Sequence, residues 1–203
     1  MRTELAAAER LVDETTLQAK RFSDYHRVRA AEGFTVSGTE ILDKPDADFH
    51  HVFNPDYMAD GRTLDPSRPE SLIFIRSGNT MELAGVMFMM PIGTHGPQPG
   101  GPLTRWHYHP VVNFCMDSDG LPRVRAERAE RGGCPVGMSN GPTPEMMHVW
   151  LVENRYGAFA HHMDVASHDD AASHAHAAPR VPSGANPYRE FVRRTNLWVN
   201  KRI

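Results

Sequence analysis

The stretch SLIFIRSGNTMELAGVMFMMP (residues 71–91) is typical of a β-hairpin. Runs rich in Ile, Phe, Val and Met stand on both sides of Gly78-Asn79, a pair that favours a tight turn between antiparallel strands. Successive side chains of a strand point to opposite faces, so Met87 and Phe88 would face opposite sides. Because both side chains are bulky and apolar, we expect the second strand to be covered on both faces.

The rest of the chain divides around this hairpin by composition. Apolar residues at helical spacing precede it, and a long stretch rich in Asp, Pro and Gly joins the two. Small and polar residues follow the core, and a short amphipathic end closes the sequence. The predicted segments are N-terminal helices (1–33), a long irregular loop region (34–70), a β-rich core (71–163), a mobile linker (164–187) and a C-terminal packing segment (188–203).

These segments predict an α+β fold that is mainly antiparallel β. Residues 105–115 are extended by their aromatic and β-branched content, and residues 156–163 are a candidate final strand. Residues 143–152 fit two structures. The letters TPE make a good helix start, whereas the letters VWLV that follow suit a strand.

Composition excludes some classes of function. The formal net charge of −3 over 203 residues gives no electrostatic footprint for nucleic acid. No apolar run approaches the roughly 20 residues that span a bilayer, so we expect no membrane partner. The N-terminus lacks the apolar stretch of a secretory signal, which predicts a cytoplasmic protein; an exported form with its signal removed stays open.

The two cysteines, Cys115 and Cys134, do not make a disulfide framework. In a reducing cytosol we expect a buried thiol and a loop thiol. A single bridge between them is the alternative for an exported protein.

The stretch RWHYHPVVNFC (105–115) carries the strongest chemical signal in a chain with twelve His and eleven Met. On a strand, His107 and His109 point to the same face and can bind one metal ion together. A third ligand must come from elsewhere. His148 is the natural candidate, because it lies in an apolar segment where a histidine needs a partner.

Further residues are candidates for the same site. His51, in the aromatic HHVFNP stretch, is a possible ligand or substrate contact. On a helix, Glu145 would share a face with His148 and serve as a ligand or general acid/base; otherwise it is a first-turn charge. Tyr108 can donate a proton beside a metal, although packing is its ordinary role. His161 and the next residue, also His, alternate faces, so at most one of the two points inward.

The spacing of these residues resembles the first metal motif of the cupins, G-x5-H-x-H-x3-E-x6-G. Gly101, His107, His109 and Gly120 stand at the four matching positions, and Asn113 replaces the usual Glu. In the second cupin motif, G-x5-P-x-G-x2-H-x3-N, only Gly and His match. The matching residues there are Gly137 and His148, and the departures are Thr143, Glu145 and Val152.

This resemblance covers roughly residues 72–163 and implies a cupin-like small antiparallel β-barrel or sandwich with the metal inside. Without the usual Glu, it implies a three-histidine site of the kind that cupin-type thiol dioxygenases have. Three further stretches, ADGRTLDP, PGGPLTRWH and TPEMMHVWLV, also look like those of a family of bacterial proteins.

The expected function is therefore that of a metal-dependent enzyme with one divalent Fe, Cu or Zn ion. An oxidoreductase or oxygenase acting on a small organic substrate is the first expectation, and a lyase or isomerase is its nearest variant. The predicted pocket residues are Trp106, Asn113, Met87 and Phe88. Two alternatives stay open: a copper or zinc protein without catalysis, and a β-rich binding domain without metal. A homodimer is a further expectation.

Overall fold

A computed structural model describes residues 2–35, 49–112, 114–124, 133–154 and 156–161 of the chain. The predicted linker (164–187), the C-terminal segment (188–203) and Asn113 lie outside these residues.

The elements alternate helices with short strands. In chain order they are α1 (Arg2–Ala19), a 3-10 turn (Lys20–Phe22), α2 (Tyr25–Ala31), β1 (Phe49–Phe53), α3 (Pro55–Met58), β2 (Ser71–Ser77), β3 (Thr80–Met89), a 3-10 turn (Gly101–Leu103), β4 (Cys115–Met116), β5 (Pro122–Val124) and β6 (Met146–Trp150). None of the helices in the described ranges combines the length and hydropathy that crossing a membrane requires.

The predicted hairpin forms the centre of the main sheet. β2 and β3 pair antiparallel up to Ser77 and Thr80, and Gly78 in the turn has a φ of 60°, which glycine adopts without strain. The sheet has the order β1-β2-β3-β6, with every neighbouring pair antiparallel, and β4 and β5 form a separate two-stranded ribbon. The α+β, mainly antiparallel prediction is confirmed. In the part of the chain that the structure describes, the strands do not close into a barrel.

The N-terminal helices cover one face of this sheet, which we call the helix face. It receives alternate side chains of the strands, so the period of two predicted for a strand is observed. The strand members are Leu72, Phe74, Val86, Phe88, Met147 and Val149, and helical partners include Leu11, Val12 and Val28. Each fully buried side chain of this size contributes roughly 1.5–3 kcal/mol, so this face holds the main hydrophobic core.

The intervening side chains of the same strands form a second cluster on the opposite face. Its strand members are Phe53, Ile73, Ala84, Met87, Met89, Met146 and Trp150, joined by Leu121 and Ala160. Residues Ala84 to Met89 are all buried, as expected for a strand covered on both faces. The candidate site lies on this second face.

Strand β1 lies inside the segment predicted as irregular loop. It pairs along its whole length with β2, from Phe49 opposite Ile75 to Phe53 opposite Ser71. Asn54 then ends the strand and caps α3, because its side chain accepts a hydrogen bond from the backbone of Tyr57 and donates one to the carbonyl of Glu32. The loop prediction failed here because a five-residue strand is specified by its distant partner more than by its own sequence.

Two other segments differ from expectation. Among the described residues of the predicted extended run 105–115, the one bridge to the main sheet is at His107, and regular pairing resumes at β4 in the two-stranded ribbon. Pro110 cannot donate a ladder hydrogen bond, which accounts for the interruption. Residues 156–161 form turns rather than the candidate strand, and the backbone of Trp150 donates to the carbonyl of Ala158. The open question at 143–152 is answered by strand β6.

Cys115 and Cys134 form a disulfide with their Cα atoms 5.5 Å apart. The expectation of two thiols was therefore wrong, and the alternative of a single bridge is the observed one. The two cysteines are 19 positions apart, and no local sequence pattern predicts that they bond. Formation of the disulfide depends on how the fold brings β4 and the 133–139 segment together.

Candidate metal centre

Five histidines from four separate segments gather on the second face of the sheet. His51 comes from β1, His148 from β6, and His107 and His109 from the segment that follows the second 3-10 turn. His161 comes from the turns that follow β6. The fold therefore brings together histidines that lie up to 110 positions apart in the sequence, from His51 to His161.

The backbone holds His107 and His109 against the start of β6. The N–H of His107 donates to the carbonyl of Met146 at 2.9 Å, and the N–H of Met146 donates back at 2.7 Å. The N–H of His109 donates to Thr143 Oγ1 at 2.9 Å, and the N–H of Thr143 donates to the His109 carbonyl at 2.9 Å. This extended geometry places both imidazoles on the same side, as the H-x-H spacing predicts.

His107 is the centre of the group, since its ring contacts three other imidazoles. Its ring centroid lies 5.0 Å from that of His148 and 5.5 Å from that of His109. The His161 ring is closer, at 4.3 Å, and nearly parallel, with an interplanar angle of 27°. With metal–nitrogen bonds of about 2.1 Å, two imidazoles that share one ion have centroids roughly 4.5 to 5.5 Å apart. The first two contacts fall in that range.

Burial lowers the pKa of two of these imidazoles, those of His148 and His51, and so keeps them neutral. The pKa of His148 is lowered to about 3, first by burial and then by the nearby His51 and His161, while backbone hydrogen bonding at His161 and Ala160 opposes the shift. The pKa of His51 is lowered to about 4 by burial and by the adjacent His50. Only 8% of His148 is exposed, and its Nδ1 has no hydrogen-bond partner. A neutral imidazole whose ring nitrogen has no hydrogen-bond partner can bind a metal ion through that nitrogen.

The imidazole rings in this structure are not oriented to bind one metal ion together. Across the described ranges, no three or more His, Cys, Asp or Glu side chains are arranged so that they could hold a metal ion. In the stacked pair His107 and His161, the two nearly parallel rings do not direct their lone pairs to a common point. The torsion that turns a histidine ring has a broad minimum, so rotation of these rings about that bond costs little free energy.

A methionine is the cross-strand partner of each of the two central histidines. Met87 is the cross-strand partner of His148 in the β3–β6 pairing, and Met146 is the bridge partner of His107. Both methionines are buried, with 3% and 8% exposed. Met87 was a predicted pocket residue, whereas Met146 was missed because its neighbour in space is 39 positions away in sequence, by 146 − 107.

Glu145 is directed away from this group. Its carboxylate accepts a hydrogen bond from the backbone of Gly96 at 2.7 Å and lies 3.5 Å from Nδ1 of His95. The predicted E-x-x-H geometry required a helix, but the segment is extended, so Glu145 and His148 leave the backbone on opposite sides. Glu145 fixes the 95–96 loop.

Three other predicted residues also lie apart from the histidines. Phe88 belongs to the helix-face core, and Trp106 packs against the same core while its Nε1 donates to the carbonyl of Pro97 at 2.8 Å. Neither lines the second face, so grouping them with Met87 in one pocket does not hold. Tyr108 alternates with the two flanking histidines and is 56% exposed.

His161 was not among the ligands predicted from the sequence. The alternation of the two neighbouring histidines predicted that at most one points inward, and His161 does so.

No family model matches this chain, and searches of curated proteins and of solved structures give no significant match. The assignment of function therefore depends on the site alone.

Proposed function

We propose that the protein binds one transition-metal ion through His107 and His148, with His109, His161 or His51 completing the ligand set, and that it is a metal-dependent enzyme. The observation that carries the proposal is the buried His148, with Nδ1 lacking a hydrogen-bond partner, in ring contact with His107. Burying a polar nitrogen without a partner costs free energy, and a metal ion would recover that cost.

The chemistry of the ligand set supports an oxidoreductase or oxygenase that acts on a small organic substrate. Neutral imidazoles do not cancel the charge of the ion, so Fe, Cu or Zn would remain strongly Lewis acidic. The apolar residues of the second face, such as Met87, Trp150 and Leu121, surround the histidines with a medium of low dielectric. In this role the histidines orient the ion, and the apolar side chains exclude water.

A cupin-like three-histidine centre remains part of this proposal and rests on the motif spacing at His107, His109 and His148. A lyase or isomerase would use the same Lewis acidity on a different substrate. A copper or zinc protein without catalysis is the second candidate, favoured by the buried methionine beside each central histidine.

The disulfide favours one cellular location. Such bonds persist in oxidising compartments and are rare in the cytosol. We infer that the bridge between Cys115 and Cys134 belongs to an exported protein, in place of the cytoplasmic location that the N-terminal sequence predicts.

The test is the metal content of the full chain, purified without chelator or nickel resin and reconstituted under anaerobic conditions. The variants are His107→Ala and His148→Leu, and His26→Ala is the matched control because His26 is an exposed histidine on α2. About one equivalent of metal in the wild type and the control, lost in both site variants, is the expected result. Absence of metal from the reconstituted wild type would contradict the proposal.

A further inference from the structure

The cross-strand pairing of Met87 with His148 brings a thioether next to an imidazole. In the β3–β6 pair, the N–H of Leu151 donates to the carbonyl of Ala84, and the N–H of Met90 donates to the carbonyl of Glu145. Hydrogen-bonded and non-hydrogen-bonded pairs alternate along an antiparallel ladder, which makes Met87 and His148 a non-hydrogen-bonded pair. Side chains approach most closely in such pairs.

The second pairing, between Met146 and His107, lies nearby and is a hydrogen-bonded pair. Met146 and His107 exchange both of their backbone hydrogen bonds, so they stand directly opposite each other. Met146 also precedes His148 by two positions on β6, which places both side chains on the second face. Two imidazoles and two thioethers thus lie on the same side of the sheet.

Other sulfur ligands are not available to this group. The chain has two cysteines, and both are in the disulfide. A soft metal on the second face would therefore obtain sulfur only from methionine. Thioethers are neutral and polarisable, and they bind Cu(I) in preference to harder ions.

Charge also favours a monovalent ion. The set of two imidazoles and two thioethers contributes no negative charge, and the nearest carboxylate in sequence, that of Glu145, binds the 95–96 loop. The desolvation cost of a buried ion rises steeply with its charge, so an uncharged ligand set binds Cu(I) at a lower desolvation cost than a divalent ion.

We propose that the centre is a mixed histidine–methionine site selective for Cu(I), with Met87 and Met146 supplying sulfur and His107 and His148 supplying nitrogen. The inference rests on the metal centre proposed above and specifies its ligands and its ion. Both methionines also pack in the second-face cluster, and methionine fills irregular cores generally. Their positions opposite the two central histidines are what single them out.

The experiment measures Cu(I) affinity by competition with a chromogenic Cu(I) chelator under anaerobic conditions, and Zn(II) affinity by a parallel titration. The variants are Met87→Leu and Met146→Leu, which conserve volume and so preserve the fold. Met147→Leu is the matched control, because Met147 is a fully buried methionine of the same strand that faces the helices. X-ray absorption at the copper edge of the wild type reports sulfur ligands without any substitution.

We expect each site variant to lower Cu(I) affinity by at least about tenfold and to leave Zn(II) affinity nearly unchanged, with Met147→Leu like the wild type. We also expect a copper–sulfur shell in the absorption spectrum. Unchanged Cu(I) affinity in both variants, together with nitrogen scattering alone, would overturn the methionine ligands while leaving a histidine centre. Failure of the wild type to bind either ion would overturn the metal centre itself.

Discussion

Glu70 is a buried carboxyl immediately before β2. It is 3% exposed, and its Oε2 accepts a hydrogen bond from the backbone of Met89 at 3.1 Å. Its pKa is raised to about 8, first by burial and further by Asp60 and Asp65, while backbone hydrogen bonds at Glu70 and Met89 oppose the shift. Folding thus favours the protonated form of this residue.

A raised carboxyl pKa makes stability fall with rising pH. The unfolded chain loses this proton near pH 4.5, whereas the folded chain holds it until about pH 8, so the unfolded state gains stability between those values. Glu70→Gln keeps the shape and removes the titration. We expect the free energy of unfolding of the variant, relative to the wild type, to rise from pH 5 to pH 8 by up to about 1.4 kcal/mol per pH unit.

Urea denaturation of both proteins at several pH values measures this difference. Because it compares two proteins at each pH, the effects of the neutral histidines cancel. A difference that stays constant from pH 5 to pH 8 would show that Glu70 ionises normally.

At the scale of elements, the site depends on how the segment after the second 3-10 turn is held against β6. The chain passes close to itself where Gly141 meets this segment: a Cβ at Gly141 would overlap the carbonyl oxygen of Pro110, and its φ is 153°. This contact lies between the Val112–Asn140 and His109–Thr143 backbone hydrogen bonds. The position of His109 and His107 thus depends on a residue without a side chain.

Gly141→Ala should displace the histidine segment. We expect a loss of about 1–3 kcal/mol in the free energy of unfolding and weaker metal binding. Gly137→Ala is the control, because Gly137 also has a positive φ, 82°, but has open space around its Cβ position. Differential scanning calorimetry with a metal titration distinguishes the two. Equal effects of both substitutions would mean that backbone strain, and not the contact with Pro110, is responsible.

Local signals predicted the elements that depend on neighbours in sequence. The β2–β3 hairpin was predicted correctly because its turn and both strands lie within 21 residues, and the shared side of His107 and His109 follows from their spacing. β1 was missed, and 105–115 was predicted to be a longer strand, because their pairing is set by distant partners. The position of Glu145 relative to His148 was predicted wrongly for a related reason. The direction of its side chain depends on whether residues 143–152 form a helix or a strand, and the sequence alone did not decide between the two.

At the scale of the whole molecule, the sheet separates two roles. The helix face contains the larger core and stabilises the fold, whereas the second face carries the histidines among methionine, Trp and Phe side chains. Residues such as His148 and Met87 could not be assigned together from sequence, because only the register of β3 with β6 makes them neighbours. The disulfide then fixes β4 to the segment that leads into β6.

Removing the disulfide should lower global stability. The bridge closes a loop with a sequence separation of 19, which in the chain-entropy account is worth about 3 kcal/mol. We expect the Cys115→Ala/Cys134→Ala double variant to lose about that free energy of unfolding, measured by urea denaturation. Thiol titration of the denatured wild type, purified without reductant, should find no free thiol. Two free thiols in that titration, or an unchanged stability, would contradict the bridge.

The most direct test of the account follows the imidazole nitrogens by ¹⁵N NMR while Cu(I), which is diamagnetic, is added to the full chain. We predict that the ring nitrogens of His107 and His148 shift together and that both shifts are complete at one equivalent, while those of the exposed His26 do not move. Shifts confined to exposed histidines, with His107 and His148 unaffected, would contradict a metal centre on the second face of the sheet.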